Sequence, residues 1–120
     1  MTSIEAFFDA WGMSDEAARN AAISGALTSG ATYAEPRSDG ALVGPTAIAE
    51  YVAMFSANAP GWTAKVVKSD VIAGLSRVTV AFGGQGPDGN EMVQHGQYFA
   101  ELEDGKVARL TGFVGTGAPE

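Results

Sequence analysis

The apolar positions of this chain change their spacing about halfway along it. Near the N-terminus, Ile4, Phe7, Phe8 and Trp11 recur at i, i+3, i+4 and i+7, the spacing of one helical face. Thr2 and Glu5 fit a capping box, in which Thr2 caps the helix and Glu5 reaches back to the free backbone N–H. Gly12 supplies a stop. Ser14, followed by Asp15 and Glu16, starts a second helix, because anionic side chains suit the positive end of the helix dipole. Its apolar set is alanine-rich, with Ile23 and Leu27 the larger members, and it fades over residues 28–30. A third helix opens at Gly44 and Pro45, proline being suited to the first helical position. Ile48, Tyr51, Val52 and Phe55 make its buried stripe, and Pro60 and Gly61 end it. Between the second and third helices lies an irregular segment containing "ATYAEP" and "PRSDG", with only a short β-prone run ahead of Glu35.

After Gly61 the period shortens. "WTAKVVKSDVIAG", "LSRVTVAFGG", "EMVQHGQYFAEL" and "KVARLTGFVG" are rich in Val, Thr, Phe and Tyr and are separated by turn signals. "GPDGN" and "EDGK" each carry Asp-Gly, a hairpin signal. Three helices followed by four strands in a meander predict an α+β domain, with the helices packed on one face of an antiparallel sheet. Gly74, Gly83, Gly84, Gly96 and Gly112 mark bends or bulges, so the sheet should curve. A curved sheet closed by helices leaves a cone with an opening, which is a pocket architecture.

The length of 120 residues fits one domain spanning 1–120 with a real core, and 46% hydrophobic residues with 18% charged suits a globular chain. No apolar run approaches the length of a membrane span, and the start "MTSIEAFFDAWGM" lacks the basic region of a signal peptide. With 0 cysteines, disulfide and thiolate chemistry are excluded, and a cytoplasmic location is expected. A net charge of −7 argues against nucleic acid and against an anionic membrane surface as partners. The single histidine, the absence of cysteine and the scattered acids supply no metal-ligand set. "GGQGPDG" lies between two strands without a following helix and reads as a hairpin connection, not a phosphate loop.

Order and residues together resemble the nuclear-transport-factor-2-like superfamily, which includes SnoaL-like polyketide cyclases and ketosteroid isomerases. The resemblance rests on "TYAEP", "GPTAIAEYV", "APGWTAKV" and the hairpin "YFAELEDGKVARLTGFVG", and covers nearly the whole chain. It implies a cone-shaped fold around a pocket, and chemistry that needs no cofactor. Several members of the superfamily dimerise through the outer sheet face, so a homodimer formed there is implied as well. Matched to the ketosteroid isomerases, the general-base position falls on Glu35, the oxyanion-hole aspartate on Gln97 and the oxyanion-hole tyrosine on Trp11. All three groups differ from that pattern. The motifs specify fold better than reaction.

The candidate site follows. Glu35 is either a general base, its carboxyl lifted by an apolar surround, or a solvated turn acid paired with Arg37. In the last long hairpin Val93, His95, Gln97 and Phe99 share one strand face, and Gln94, Gly96, Tyr98, Ala100 and Leu102 share the other. Gln97 is either a donor to a carbonyl or a surface amide. His95 is either an acid–base partner or a scaffold residue. Among the aromatics, Trp11, Tyr33, Tyr51 and Phe55 are expected to touch ligand, although residues at helical spacing also build core.

Three functions remain open on this basis. The first is an isomerase, cyclase or dehydratase acting on a small apolar carbonyl or ring compound, with Glu35, Gln97 and His95 as its catalytic groups. The second is a hydrophobic-ligand-binding module without turnover. The third is an interaction protein using the outer sheet face, where Arg77, Thr79 and Ala81 lie together.

Overall fold

The computed structural model describes residues 2–38 and 40–114. Its elements are α1 (Ser3–Asp9), a 3-10 turn (Ala10–Gly12), α2 (Glu16–Ala26), β1 (Leu27–Ala34), β2 (Leu42–Val43), α3 (Pro45–Asn58), β3 (Thr63–Ile72), β4 (Leu75–Gln85), β5 (Glu91–Glu103) and β6 (Lys106–Val114). Asp39 of "PRSDG" and Gly115 of the last expected strand lie outside the described residues.

The first helix forms as its sequence dictates. Thr2 accepts from the Glu5 backbone N–H at 3.1 Å, and Glu5 Oε1 accepts from the Thr2 backbone N–H at 3.3 Å. Ile4, Phe7, Phe8 and Trp11 are all buried. Asp15, rather than Ser14, caps α2: its Oδ2 accepts from the Ala18 N–H at 2.8 Å. Gly44 takes φ 90 as the cap of α3, a conformation glycine adopts without steric cost, and its N–H donates to the Ala31 carbonyl at 2.8 Å.

The segment between α2 and α3 departs from expectation. The helix stops at Ala26 and the chain passes directly into β1, where Leu27, Ala31 and Tyr33 are buried. The sheet therefore has six strands, in the order β2-β1-β6-β5-β4-β3, and β1 pairs parallel with β6. All other pairings are antiparallel. The physical reason is distance in sequence. Thr32 stands beside Arg109 and Tyr33 beside Leu110, so the strand is stabilised by a partner far along the chain rather than by local turn chemistry.

The sheet is curved and open. Register breaks between Leu27 and Thr32, Val66 and Lys68, and Glu101 and Leu102 supply the irregularities at which such a sheet bends. The β3–β4 hairpin turns through Ala73 (φ 50) and Gly74 (φ 83), and the β5–β6 hairpin through Asp104 (φ 51) and Gly105 (φ 79), both pairs in the left-handed region that short hairpin turns require. The inner face carries Val78 and Val80 from β4, Tyr98 and Ala100 from β5, and Leu110 from β6. These pack with Phe7, Phe8, Ile23, Ile48 and Val52 into one core. Among the described residues, no helix is long and apolar enough to cross a membrane.

Candidate functional site

At one end of this core the helices and the sheet do not meet, and a cavity of about 460 Å³ remains. Its apolar wall is built from four places in the chain: Trp11 from the 3-10 turn, Phe55 from α3, Trp62 ahead of β3, and Phe82 from β4. The rings of Trp11, Phe55 and Phe82 are packed edge to face or tilted, with centroids 4.9 Å apart for Trp11 and Phe55 and 5.5 Å for Trp11 and Phe82. That geometry suits the opposed charges of ring face and edge, and it makes a stiff wall. Trp62 is fixed at the rim by its indole N–H, which donates to the Gln85 carbonyl at 3.1 Å. A Cβ at Gly84 would strike that indole, so glycine there makes room for it.

Glu35 follows β1 directly and lines this cavity. The turn that carries it is pinned by Ser38, which is buried. The Ser38 hydroxyl accepts from the Glu35 N–H at 3.0 Å and lies 2.9 Å from the Glu35 carbonyl, which also accepts from the Ser38 N–H at 3.0 Å. Tyr51 on α3 donates its hydroxyl to Glu35 Oε1. Burial raises the Glu35 carboxyl above its ordinary value of 4.5, while the charge of Arg37 and a backbone hydrogen bond at Arg37 pull the other way without cancelling it. Glu35 is thus a half-buried acid in an aromatic cavity. It makes no ion pair with Arg37 among the described residues; Arg37 Nη2 instead donates to Gln94 Oε1 at 3.2 Å.

Deeper in, the hydroxyls of Tyr33 and Tyr98 lie 3.2 Å apart. Tyr98 lines the cavity, while Tyr33 is 1% exposed and sits behind it. Burial pushes both phenols up, that of Tyr33 well above the usual range, and the charge of Glu35 adds to the rise in each. Both therefore stay protonated at neutral pH and serve as donors, not bases. The Tyr98 ring lies over two glycines: a Cβ at Gly112 would collide with it, and one at Gly96 would come within 3.0 Å. Gly112 stands directly opposite Tyr98 in the β5–β6 register. These glycines, expected to mark bends, also clear a bed for a large ring.

The residues singled out in the sequence divide into two groups. Glu35, Trp11, Tyr51, Phe55 and His95 line the cavity together. Tyr33 does not line it but packs behind Trp11, Tyr51 and Tyr98, which do. Gln97 is not among the lining residues. Its amide donates to Thr79 Oγ1 at 2.9 Å, on the sheet face opposite Tyr98, because β4–β5 pairing runs without a register break and neighbouring side chains alternate. Tyr98, Phe82, Trp62 and Gln94 are lining residues absent from the short set of sites. For Tyr98, strand alternation was the available signal: it marks the core-facing set one residue from Gln97. The indole N–H of Trp11 is buried and has no partner among the described residues, leaving an unused donor in the wall.

Residues 4–110 match the SnoaL-like domain, and the chain belongs to that family. No curated protein matches it. Among solved structures, it is similar to a candidate isomerase of the SnoaL-like family from Agrobacterium tumefaciens (19% identity, TM-score 0.78, 94% of each chain covered). It is also similar to an NTF2-like protein from Exiguobacterium sp. (21% identity, TM-score 0.76, 97% of this chain and 100% of the other). A third is a candidate SnoaL-like polyketide cyclase from Jannaschia sp. (19% identity, TM-score 0.75, 92% and 81%). At these identities the likeness shows the NTF2-like fold.

Proposed function

We propose that this protein is a cofactor-independent general acid–base enzyme acting on a small, largely apolar carbonyl or ring compound, with Glu35 as its base. The observation that carries this reading is the environment of Glu35: half-buried, raised by desolvation, and facing an aromatic cavity. A carboxylate taken partly out of water is a stronger proton acceptor, and one tuned upward removes a proton next to a carbonyl more readily. In the step proposed, Glu35 takes the proton from carbon, and the electron pair moves onto the carbonyl oxygen. The Tyr98 hydroxyl, backed by Tyr33, donates to that oxygen, and the Trp11 N–H is a second candidate donor. In a β,γ-unsaturated ketone Glu35 then returns the proton at the γ-carbon, which gives isomerisation; alternatively the enolate carbon attacks a second carbonyl, whose oxygen takes the proton back from Glu35, which gives cyclisation. His95, which also lines the cavity, is the candidate second acid–base group. The neighbours named as an isomerase and a polyketide cyclase lend this range of reactions their support.

Gln97 takes no part in this scheme, since Thr79 holds its amide on the other sheet face. That face also carries Phe99, 37% exposed and in edge-to-face contact at 5.9 Å with Phe113, which in turn lines the cavity; the exposed Phe99 ring supports a homodimer through it. The same placement of Gln97 favours a second reading, ligand binding without turnover.

Hydrogen–deuterium exchange at the α-carbon of bicyclic ketones such as 2-tetralone, followed by NMR in D₂O, tests the proposal. The protein should accelerate exchange, and Glu35→Gln should lose most of that acceleration. Ketones that bind yet exchange at the same rate with and without the protein would establish binding alone.

A further inference from the structure

Beyond the carboxylate, the cavity carries a group that an apolar substrate does not use. Arg37 lines it at the mouth and is the one Lys or Arg among the lining residues. Its guanidinium reaches from the turn after β1 to β5, where it bonds the neutral Gln94 side chain at 3.2 Å. That single bond leaves most of the guanidinium's N–H donors, and the Gln94 NH₂ group, without protein acceptors among the described residues. Arg37 and Gln94 thus form a pair of convergent donors at the edge of a hydrophobic wall. A planar carboxylate matches such a fork better than any neutral group, because it accepts two parallel charge-assisted hydrogen bonds.

We infer that the cavity takes a planar aromatic acid, its ring against Trp11, Phe55, Trp62 and Phe82 and its anionic group held by Arg37 with Gln94. The volume suits a bicyclic or tricyclic ring system. For a chain of net charge −7, a guanidinium at the mouth is a local exception, so selection for an anion acts at the site and not through the long-range field. The inference rests on the cavity of the proposed function, but not on the chemistry of Glu35.

The test compares 2-naphthoate with its neutral isostere 2-naphthamide by isothermal titration calorimetry at pH 7.5. The wild-type protein should bind the naphthoate at least about tenfold more tightly, in keeping with a charge-assisted pair. Arg37→Gln should bring the two affinities close together. Arg37 is exposed, and matched thermal melts verify that the variant folds. Gln94→Ala should weaken naphthoate less than Arg37→Gln does. Equal affinities in the wild type, no binding of either probe, or a preference that survives Arg37→Gln would overturn the inference. Glu35→Gln separates the two proposals, since it should abolish proton exchange while the preference for naphthoate persists or grows, the carboxylate it removes having the same sign as the probe and lying near Arg37. Exchange that depends on Glu35 without any preference for the acid would remove only the present inference. A preference for the acid without exchange would remove only the catalytic reading.

Discussion

Tyr51 on α3 donates its hydroxyl to the Glu35 carboxylate on the turn after β1, joining helix layer and sheet across the cavity. The bond steadies the charged form of an acid that burial otherwise disfavours. Its removal should therefore be visible in the acid itself. In Tyr51→Phe the ring still fills its place among Trp11 and Tyr33, while the Glu35 pKa rises further above 4.5. A carboxyl-detected NMR titration of the variant reads this directly; an unchanged or lowered value would mean that the hydroxyl does not solvate the carboxylate.

Activity should follow the ionisation of the same group. Because Glu35 must be deprotonated to act, proton exchange should rise with pH along one limb whose midpoint lies above 4.5. No descending limb from the phenols should appear below pH ~10, since Tyr33 and Tyr98 are both displaced upward from the ordinary phenol value. Glu35→Gln should lower the plateau by roughly 10²- to 10⁴-fold, the usual contribution of a positioned base.

Stability should move in the opposite sense. A carboxyl raised in the folded state binds its proton more tightly there than in the unfolded chain. Its contribution to stability is consequently lost as pH climbs from 4.5 through the folded value. Glu35→Gln, which keeps an acceptor for Tyr51 but never ionises, should melt higher than the wild type at pH 7. The difference should shrink towards zero well below pH 4.5, and paired thermal melts at the two pH values decide the sign.

The glycine bed of Tyr98 makes a prediction about packing. Gly112→Ala would drive a methyl group into the ring, so it should destabilise by about 1–3 kcal/mol, the usual cost of overpacking. Gly25→Ala on α2 meets open space and should be neutral or stabilising by up to about 1 kcal/mol. Urea titration of the two variants compares them, and similar midpoints would mean that Tyr98 is not confined by β6.

These relationships also explain which features were legible before the structure. The helices were, because their signals are local: the Thr2–Glu5 box, the Ile4 to Trp11 stripe and Pro45 all lie within the elements they define. The last four strands were legible for the same reason, their hairpin turns carrying their own chemistry. Strand β1 was not. Thr28, Ser29 and Gly30 interrupt its apolar alternation, and its parallel neighbour β6 is supplied by distant sequence. Glu35 could be found because Pro36 and the resemblance fix its place. Gln97 takes its place from the match to the ketosteroid isomerases alone, and in a strand an offset of one residue exchanges the two faces. Tyr98, its neighbour, is the one that faces the cavity.

The central claim is that Glu35 is a desolvated acid inside the cavity, and its pKa tests that claim most directly. Titration by ¹³C-carboxyl NMR, with Glu35→Gln for assignment, should give a value above 4.5, with the ring signals of Tyr51 and Tyr98 moving over the same pH range. A value at or below 4.5, with those rings unaffected, would make Glu35 a solvated turn acid and contradict the account.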